Sequence, residues 1–429
     1  MKKTLLLIFM TLLSINPMCA SDGQIVWGKT PEGVTVMGTV INGYELSVEL
    51  MLPEGIGRET ITGTVTIPTH VEGFKVTEIK AAANFPNVTK FIIESTVMTI
   101  ADNAFCFCSK AKFDIQSRLE HIGNYAFVGC EGIKELDLRF IKSIGEGAFL
   151  NCTGLKSINL GEEITSIGQY TFDGCTSLSE ITIPSSVKEI GLWAFGRTAL
   201  TSVNIPESIT SIGDYAFGRT ALTTLNIPSS VTEIGYGIAA YSPNVTSITV
   251  DEGNPVYEAR NNAIVEKATN KLIQGCKTTI IPESVTEIFA ASFTGMGISE
   301  FVIPKSITKI GNYIFTFNDD LGKVTSYIED PYDVNEEAFL YSGGDEPKFT
   351  TATLYVPAGT KAKYEAAQGW NKFSKIVEME STGIEGTSKV NEIGTEWFTI
   401  DGKRLDSPRK GLNILRQNGK TIRKVFITK

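Results

Sequence analysis

The chain has 429 residues, of which 42% are hydrophobic and 20% are charged, a composition that excludes a largely disordered protein. Residues 21–396 carry 28 basic and 46 acidic side chains, a net charge of −18. This part of the chain therefore repels phosphate backbones, and nucleic acid is excluded as an expected partner.

The first 20 residues have the pattern of a secretory signal peptide. Two lysines precede an apolar run from Leu5 to Leu13, and small or polar residues follow up to Ala20. The apolar run is too short to span a bilayer. We expect cleavage after Ala20, with lipid modification of Cys19 as the alternative. No later apolar stretch approaches the length that a membrane-spanning helix needs, so the sequence predicts no transmembrane helix.

Residues 21–70 contain three runs in which polar and apolar residues alternate, GVTVMGTV, YELSVELM and ITGTVTIP, with a turn signal at Asn42-Gly43. Alternation of this kind predicts β-strands. We interpret the region as a β cap, because the open end of a stack of strands needs cover against aggregation.

From residue 71 to 378 the chain repeats one unit. Ile-Gly pairs, which we call markers, recur with spacings of 22, 23, 23, 22 and 22 residues at Ile122, Ile144, Ile167, Ile190, Ile212 and Ile234. The marker position continues at Ile288 and Ile310, and earlier at Ile79 and Ile100 without the glycine. A fixed period in this range predicts a solenoid whose coils stack on their neighbours.

Each unit contains a short alternating segment, such as EITIP at residues 180–184. The pattern predicts a strand with Ile181 and Ile183 facing inward, ended by a proline. Five residues after the markers a phenylalanine recurs, which predicts one buried column of Phe105, Phe127, Phe149, Phe172, Phe195, Phe217, Phe293 and Phe315. The predicted fold is therefore mainly β, with short parallel strands in coils of about 22 to 23 residues.

The repeat is interrupted between Ile234 and Ile288, a gap of more than two periods. Within this gap, residues 250–276 alternate around the turn-prone residues 268–270. We predict a hairpin that protrudes from the coil.

After Ile310 the repeat pattern decays. A strand at 352–356 and a short helix around 362–368 are predicted to close the stack. Residues 379–395 are interpreted as a linker. Residues 396–429 contain alternating strands with turn signals at Asp401-Gly402 and Asn418-Gly419, and they are too few for an independently stable core.

The segments IGDYAFGRTAL, IPSSVTEIG and GNPVYEARNNAIVEKATNKLIQGC resemble the BspA-like surface leucine-rich-repeat proteins, over roughly residues 60–378. The resemblance implies a leucine-rich-repeat solenoid that is secreted or displayed on the cell surface, and some members are adhesins for host extracellular-matrix proteins. The tail looks like a C-terminal sorting segment of the type IX secretion system, which implies the exterior of the outer membrane. A small β appendage docked on the cap is the alternative.

Cys108, Cys130, Cys152 and Cys175 each lie eight residues after a marker and are expected to stack in one column. We predict reduced, buried cysteines that pack as small apolar groups, with a metal or disulfide framework as the alternative. The coils of Ile190 and Ile212 are expected to omit this position.

The sequence indicates no catalytic chemistry. Its only histidines, His70 and His121, have no ligand partner at metal spacing. HExxH, G-x-S-x-G and phosphate-binding glycine motifs are absent from it. We therefore expect a protein that is not an enzyme and needs no metal or cofactor.

The outward positions of the predicted strands form a grid of small polar residues. We predict that a partner binds there, at Asp137, Asn159, Thr182, Asn204, Asn226 and Thr249. The alternative is that Asn159, Asn204 and Asn226 hydrogen-bond one another along the stack and serve only stability.

An aromatic residue follows many markers by three positions, which makes Tyr170, Trp193 and Tyr215 further candidates for partner contact. The alternative, which we favour, is that these rings cover the rim of the core.

Three functions are compatible with this pattern. The leading hypothesis is a secreted or surface-attached adhesin that recognises a host or neighbouring-cell protein through the strand face. Glycan binding by the aromatic column is the second, and a structural surface spacer without a ligand is the third.

Overall fold

The computed structural model describes residues 21–52, 57–82, 84–342 and 348–380 and four tail strands within 395–427. Two structural units divide the chain, Met1–Met379 and Glu380–Lys429. The predicted signal peptide with Cys19, residues 381–394 of the predicted linker and the two turn pairs of the tail lie outside the described residues. In the described part of the chain, no helix is long and apolar enough to cross a membrane.

The N-terminal end combines antiparallel strands with the first coils. Its strands are β1 (Ile25–Lys29), β2 (Thr35–Val40), β3 (Glu45–Met51), β4 (Gly63–Ile67), β5 (His70–Val71), β6 (Phe74–Ala81), β7 (Val88–Ile93), β8 (Thr99–Ile100) and β9 (Lys112–Ile115), with a 3-10 turn at Arg58–Thr60. β1, β2 and β3 pair antiparallel, whereas β3 pairs parallel with β6. The antiparallel strands thus extend the sheet in which Ile79 of β6 faces Ile100 of β8.

The middle coils contribute two kinds of strand, a two-residue strand at the marker and a longer strand after the phenylalanine. These strands are β10 (His121–Ile122), β11 (Glu135–Leu138), β12 (Ser143–Ile144), β13 (Ser157–Leu160), β14 (Ser166–Ile167), β15 (Glu189–Ile190), β16 (Ser211–Ile212), β17 (Thr224–Ile227), β18 (Glu233–Ile234) and β19 (Ser247–Val250). Both kinds pair parallel and in register: Ile167 lies opposite Ile190, and Asp137 opposite Asn159. One repeat is therefore one coil, as predicted.

The strand predicted at residues 180–184 is not formed, and the equivalent residues 202–205 are not a strand either. Burial still alternates, with Glu180 and Thr182 exposed and Ile183 buried. Within these two described segments, no backbone hydrogen bond reaches a neighbouring coil. Packing of the inward side chains, rather than a strand ladder, holds both segments between β13 and β17.

The phenylalanine column is the centre of the core and confirms the prediction. From Phe105 to Phe217, successive ring centroids lie 5.5, 5.4, 5.7, 5.6 and 5.6 Å apart. All of these rings are fully buried, and their planes differ by 14° or less. Further along, Phe301 is inserted between Phe293 and Phe315. Each ring is covered by the coils on both sides of it.

The turn that precedes each buried phenylalanine uses left-handed backbone. Three residues after their markers, Tyr125 and Tyr170 have φ of 55° and Trp193 and Tyr215 have φ of 52°. Such values cost bulky residues about 1–2 kcal/mol. The conformation directs backbone amides at the next coil: Tyr170 N–H donates to the Leu192 carbonyl at 2.9 Å. The turns therefore stack as regularly as the strands.

All six cysteines in the described chain are free, and the four that were predicted to stack are buried. The thiols of Cys130, Cys152 and Cys175 donate to the carbonyl of the phenylalanine one coil earlier, over 3.1, 3.1 and 3.2 Å. Burial removes water from the thiolate form and raises the pKa of Cys108 to about 11 and that of Cys152 to about 12. The cysteines thus join coils by hydrogen bonds as well as by packing.

The expectation that two coils omit the cysteine position was wrong. Thr198 and Thr220 occupy it, eight residues after Ile190 and Ile212, and both are buried. Their hydroxyls donate to the phenylalanine carbonyl of their own coil, over 2.8 and 2.9 Å. In these two coils threonine supplies the small hydrogen-bond donor that cysteine supplies in the four coils before them. The residue missing from these shorter coils comes after it.

The insertion forms antiparallel strands that join the stack rather than protrude from it. This region contains β20 (Tyr257–Ala259), β21 (Ile264–Glu266), β22 (Lys271–Gln274), β23 (Glu287–Ile288), β24 (Glu300–Ile303), β25 (Lys309–Ile310) and β26 (Lys323–Ser326). β22 pairs antiparallel with β21 and parallel with the marker strand β23. Buried Asn254 donates to the carbonyls of Pro228 and Val231, which fastens the insertion to the preceding coil.

The C-terminal end of the first unit contains the predicted strand and helix. Its elements are β27 (Leu340–Ser342), β28 (Lys348–Phe349), β29 (Thr353–Val356), α1 (Lys361–Ala366), β30 (Lys375–Glu378) and 3-10 turns at Glu336–Phe339 and Trp370–Lys372. β29 and β30 continue the strand sheet from β26. Tyr364 of α1 is buried and donates to the Ile328 carbonyl at 2.7 Å, so α1 covers the last coil.

The second unit is a four-stranded antiparallel sheet. It consists of β31 (Thr395–Thr399), β32 (Arg404–Leu405), β33 (Gly411–Gln417) and β34 (Lys420–Ile427), in the order β32-β31-β33-β34. The sheet agrees with the alternating strands predicted for the tail.

Truncating one ring of the column should destabilise the whole stack. We expect Phe149→Ala to lower the free energy of unfolding by about 3–5 kcal/mol, because the cavity is enclosed by both neighbouring coils. Denaturant unfolding followed by circular dichroism measures this loss. The control is Phe140→Ala, since 43% of Phe140 is exposed. An equal loss in the two variants would contradict the stacked core.

The thiols should be protected in the folded protein. At pH 8 we expect a thiol-reactive dye to label no more than Cys106, the one partly exposed cysteine among the described residues, because the buried thiols are inaccessible to the dye. After unfolding in guanidinium without reductant, all six should react in a chain that starts at residue 21. Recovery of fewer than six thiols would show that disulfides had formed.

Candidate functional site

The outward positions of the strands form a shallow groove of about 730 Å³. Its polar lining residues are Glu135, Asp137, Ser157, Asn159, Glu180 and Thr182, and we call this site the strand-face groove. Three predicted site residues, Asp137, Asn159 and Thr182, are brought together here. The other three strand-face residues, Asn204, Asn226 and Thr249, are exposed on following coils but do not line the groove.

Hydrogen bonds connect neighbouring coils at both ends of this polar face. Asn159 donates its amide N–H to Asp137 Oδ1 at 2.9 Å, and the Thr249 hydroxyl donates to Asn226 Oδ1 at 2.8 Å. The alternative in which Asn159, Asn204 and Asn226 hydrogen-bond one another is therefore wrong, because the partners are Asp137 and Thr249 instead. Between these two pairs on the polar face lie Thr182 and Asn204. Among the described contacts their side chains form no hydrogen bond, so they remain available to a partner.

The groove is acidic. Glu135 and Glu180 are exposed and form no ion pair with any described residue. Asp137 is different, because Arg139 donates to its carboxylate through Nε at 2.9 Å. The hydrogen bond from Arg139, together with the one from Asn159, lowers the pKa of Asp137. Sequence reasoning missed Arg139, although its position two residues after Asp137 on the same strand face was a usable signal.

The groove also contains unpaired backbone. Residues 180–182 line it, and they belong to the segment that forms no ladder with the adjacent coils. Exposed N–H and C=O groups of this kind are satisfied by water or by a partner. The groove therefore offers main-chain hydrogen-bonding groups next to two carboxylates, which suits contact with a polypeptide.

The predicted aromatic residues do not line the groove. Trp193 and Tyr215 stack on each other with centroids 4.9 Å apart. Their other surfaces cover glycine: a Cβ added to Gly218 would lie 2.9 Å from Trp193, and one added to Gly237 would lie 2.7 Å from Tyr215. Tyr170 occupies the equivalent left-handed position one coil earlier. These contacts agree with the alternative in which the rings cover the rim of the core.

The histidines make local polar contacts. His121 Nδ1 lies 2.8 Å from Ser143 Oγ in a second groove of about 630 Å³ on the marker strands, and His70 Nδ1 lies 3.1 Å from Thr69 Oγ1. Throughout the described residues, no group of three or more His, Cys, Asp or Glu side chains is arranged to hold a metal ion.

A family comparison identifies the repeat. The model of the BspA type Leucine rich repeat region matches six copies, over residues 75–195, 142–264 and 257–349. Together these matches span residues 75–349, which is more than half of the chain. Among curated proteins, none matches the sequence.

Crystal structures of bacterial proteins are similar in fold. A leucine rich cell surface protein from Faecalibacterium prausnitzii is 21% identical, with 86% of this chain and 97% of that chain covered and a TM-score of 0.54. A leucine-rich repeat protein from Bacteroides ovatus is 18% identical, with 84% and 99% covered and a TM-score of 0.44. At 21% identity, the similarity to the Faecalibacterium prausnitzii protein shows the fold alone.

Proposed function

The chain belongs to the BspA-type leucine-rich-repeat family, and from this premise we propose that it is a cell-surface adhesin that binds an extracellular protein through its strand face. The family supports surface display and protein binding. The site and the kind of partner are our proposal.

The strand-face groove is the observation that carries this proposal. It joins exposed polar side chains of three successive coils to unpaired backbone at residues 180–182. A stack of coils presents such a face as one continuous surface, which is where solenoids usually contact partners. The side chains of Asn204 and Thr182 are exposed and form no hydrogen bond within the described structure, so each can exchange its water for a partner's polar group without breaking an intramolecular bond.

Binding explains the groove better than catalysis does. Arg139 lowers the pKa of Asp137, which favours a fixed anion over a proton-transfer group at this carboxylate. Glu135 and Glu180 are exposed to solvent, where charges are screened.

Export and anchoring form the second part of the proposal. We propose that residues 1–20 direct secretion and that residues 396–429 act as a sorting segment that places the protein on the exterior of the outer membrane. The tail is positively charged, with nine Lys and Arg against two Asp from residue 397 onward. This charge distinguishes it from the acidic solenoid.

Secretion can be checked at the amino terminus. If residues 1–20 are a signal peptide, amino-terminal sequencing of the exported protein should give Ser21 as the first residue, because cleavage follows small residues such as Ala20. Retention of residues 1–20 in a surface-exposed protein would refute the cleavage. A lipid-blocked amino terminus at Cys19 would instead support lipid modification.

Adhesion can be tested with the chain that starts at residue 21 and immobilised matrix proteins such as fibronectin, laminin, collagen and fibrinogen. We expect saturable binding to at least one of them. Asn204→Arg should weaken it at least tenfold, since the new side chain blocks the centre of the strand face. Surface plasmon resonance provides the dissociation constants.

The matched control is Thr165→Arg, which adds the same charge at an exposed residue beside the marker strand β14. This variant should bind like the unmodified protein. An equal loss of affinity in both variants would show that the binding site does not lie on the strand face. Binding to a glycan array but to no matrix protein would favour the glycan hypothesis, and self-association without any ligand would favour the spacer.

A further inference from the structure

Aromatic rings form a continuous surface on the turns, separate from the strand-face groove. Trp193 stacks on Tyr215, and the Trp193 and Tyr241 centroids lie 6.5 Å apart. Tyr241 in turn contacts Phe317 at 5.3 Å. These four rings and Arg219 define what we call the aromatic–arginine surface. It joins the left-handed positions three and seven residues after the markers.

The rings present their edges to solvent because their faces are occupied. Trp193 and Tyr215 cover each other and the glycine backbone beneath them, and Tyr241 likewise covers Gly295. The edge of an aromatic ring carries partial positive charge. An exposed row of edges therefore favours an anionic group and offers a sugar ring little face on which to stack.

Hydrogen-bond donors are concentrated at these edges. Burial raises the pKa of Tyr215 and Tyr241, so both hydroxyls remain protonated donors at neutral pH. Neither these hydroxyls nor the Trp193 indole N–H has a hydrogen-bond partner within the described structure.

Arg219 adds a positive charge that forms no ion pair with a described carboxylate. Its guanidinium carbon lies 4.8 Å from the centroid of Tyr241, and among the described residues no acid lies within ion-pair distance. Arg197, one coil earlier, differs: its Nε and Nη2 bind both oxygens of Asp173 at 2.9 and 2.7 Å. In a solenoid with an excess of acidic residues, a stacked arginine without such a partner is free to bind an external carboxylate.

We propose that the aromatic–arginine surface is a second docking site, and that it binds an acidic segment of a protein partner. A carboxylate of that segment pairs with Arg219, and its apolar side chains pack against Trp193 and Tyr241. Tyrosine, tryptophan and arginine are the residues that dominate binding energy at protein interfaces. The two surfaces can therefore hold different partners.

The test uses two rhodamine-labelled dodecapeptides, one alternating glutamate with leucine and the other alternating lysine with leucine. Fluorescence anisotropy with the chain that starts at residue 21 gives both dissociation constants at low salt. We expect the glutamate peptide to bind at least tenfold more tightly. That chain carries 37 basic and 48 acidic side chains, a net charge of −11. Its overall charge favours the opposite order, so the preference reports on a local basic site. The Arg219 variant distinguishes the aromatic–arginine surface from the basic tail.

Arg219→Gln should raise the dissociation constant of the glutamate peptide about tenfold. The matched control is Arg118→Gln, because Arg118 is also exposed and stacks over an aromatic ring, with its guanidinium carbon 4.3 Å from the centroid of Phe140. That variant should leave the affinity unchanged. The proposal would be overturned if the lysine peptide bound more tightly, if neither peptide bound, or if both variants lost affinity equally. None of these outcomes depends on what the strand face binds.

Discussion

A phenylalanine ring in this protein is buried only because the coils before and after it cover both of its faces. A single coil has no interior of its own, so an isolated repeat would leave its ring in water. Burial of one such side chain is worth roughly 1.5–3 kcal/mol, and here each ring also gains contact with the ring 5.4–5.7 Å away. Stability is therefore shared between neighbouring coils, and both ends of the stack must be closed.

The same constraint determines the backbone of every coil. Because the rings stack in register, the turns before them must repeat. Each turn includes left-handed residues, even where the residue is a bulky aromatic that disfavours this conformation. The free-energy cost of the left-handed conformation is offset by contacts between neighbouring coils. Tyr215 packs on Gly237 of the next coil, whose missing side chain leaves room for the ring, and the Cys130 thiol satisfies the Phe105 carbonyl of the coil before it. Strain in one coil is thus compensated by the next.

With the core enclosed between coils, the outer surfaces are free to differ in chemistry. The strand face is polar and acidic, with hydrogen-bonded pairs on either side of the unpaired Thr182 and Asn204. The turn surface carries aromatic edges and Arg219. A surface protein of this family can therefore change its partners without changing its fold, which is the physical reason that the fold alone does not name a ligand.

The spacing of isoleucine and phenylalanine by itself determined the solenoid, its period and the inward and outward positions of the strands, because a stack of identical units requires the same residue types at the same intervals. It also placed Asp137, Asn159 and Thr182 on one face. Only the tertiary structure decided that residues 180–183 leave the strand ladder, that the insertion pairs within the stack, and that Thr198 donates to the phenylalanine carbonyl of its own coil. It also decided that Trp193 and Arg219 belong to a surface separate from the groove. Those outcomes depend on distances between coils, which no single repeat encodes.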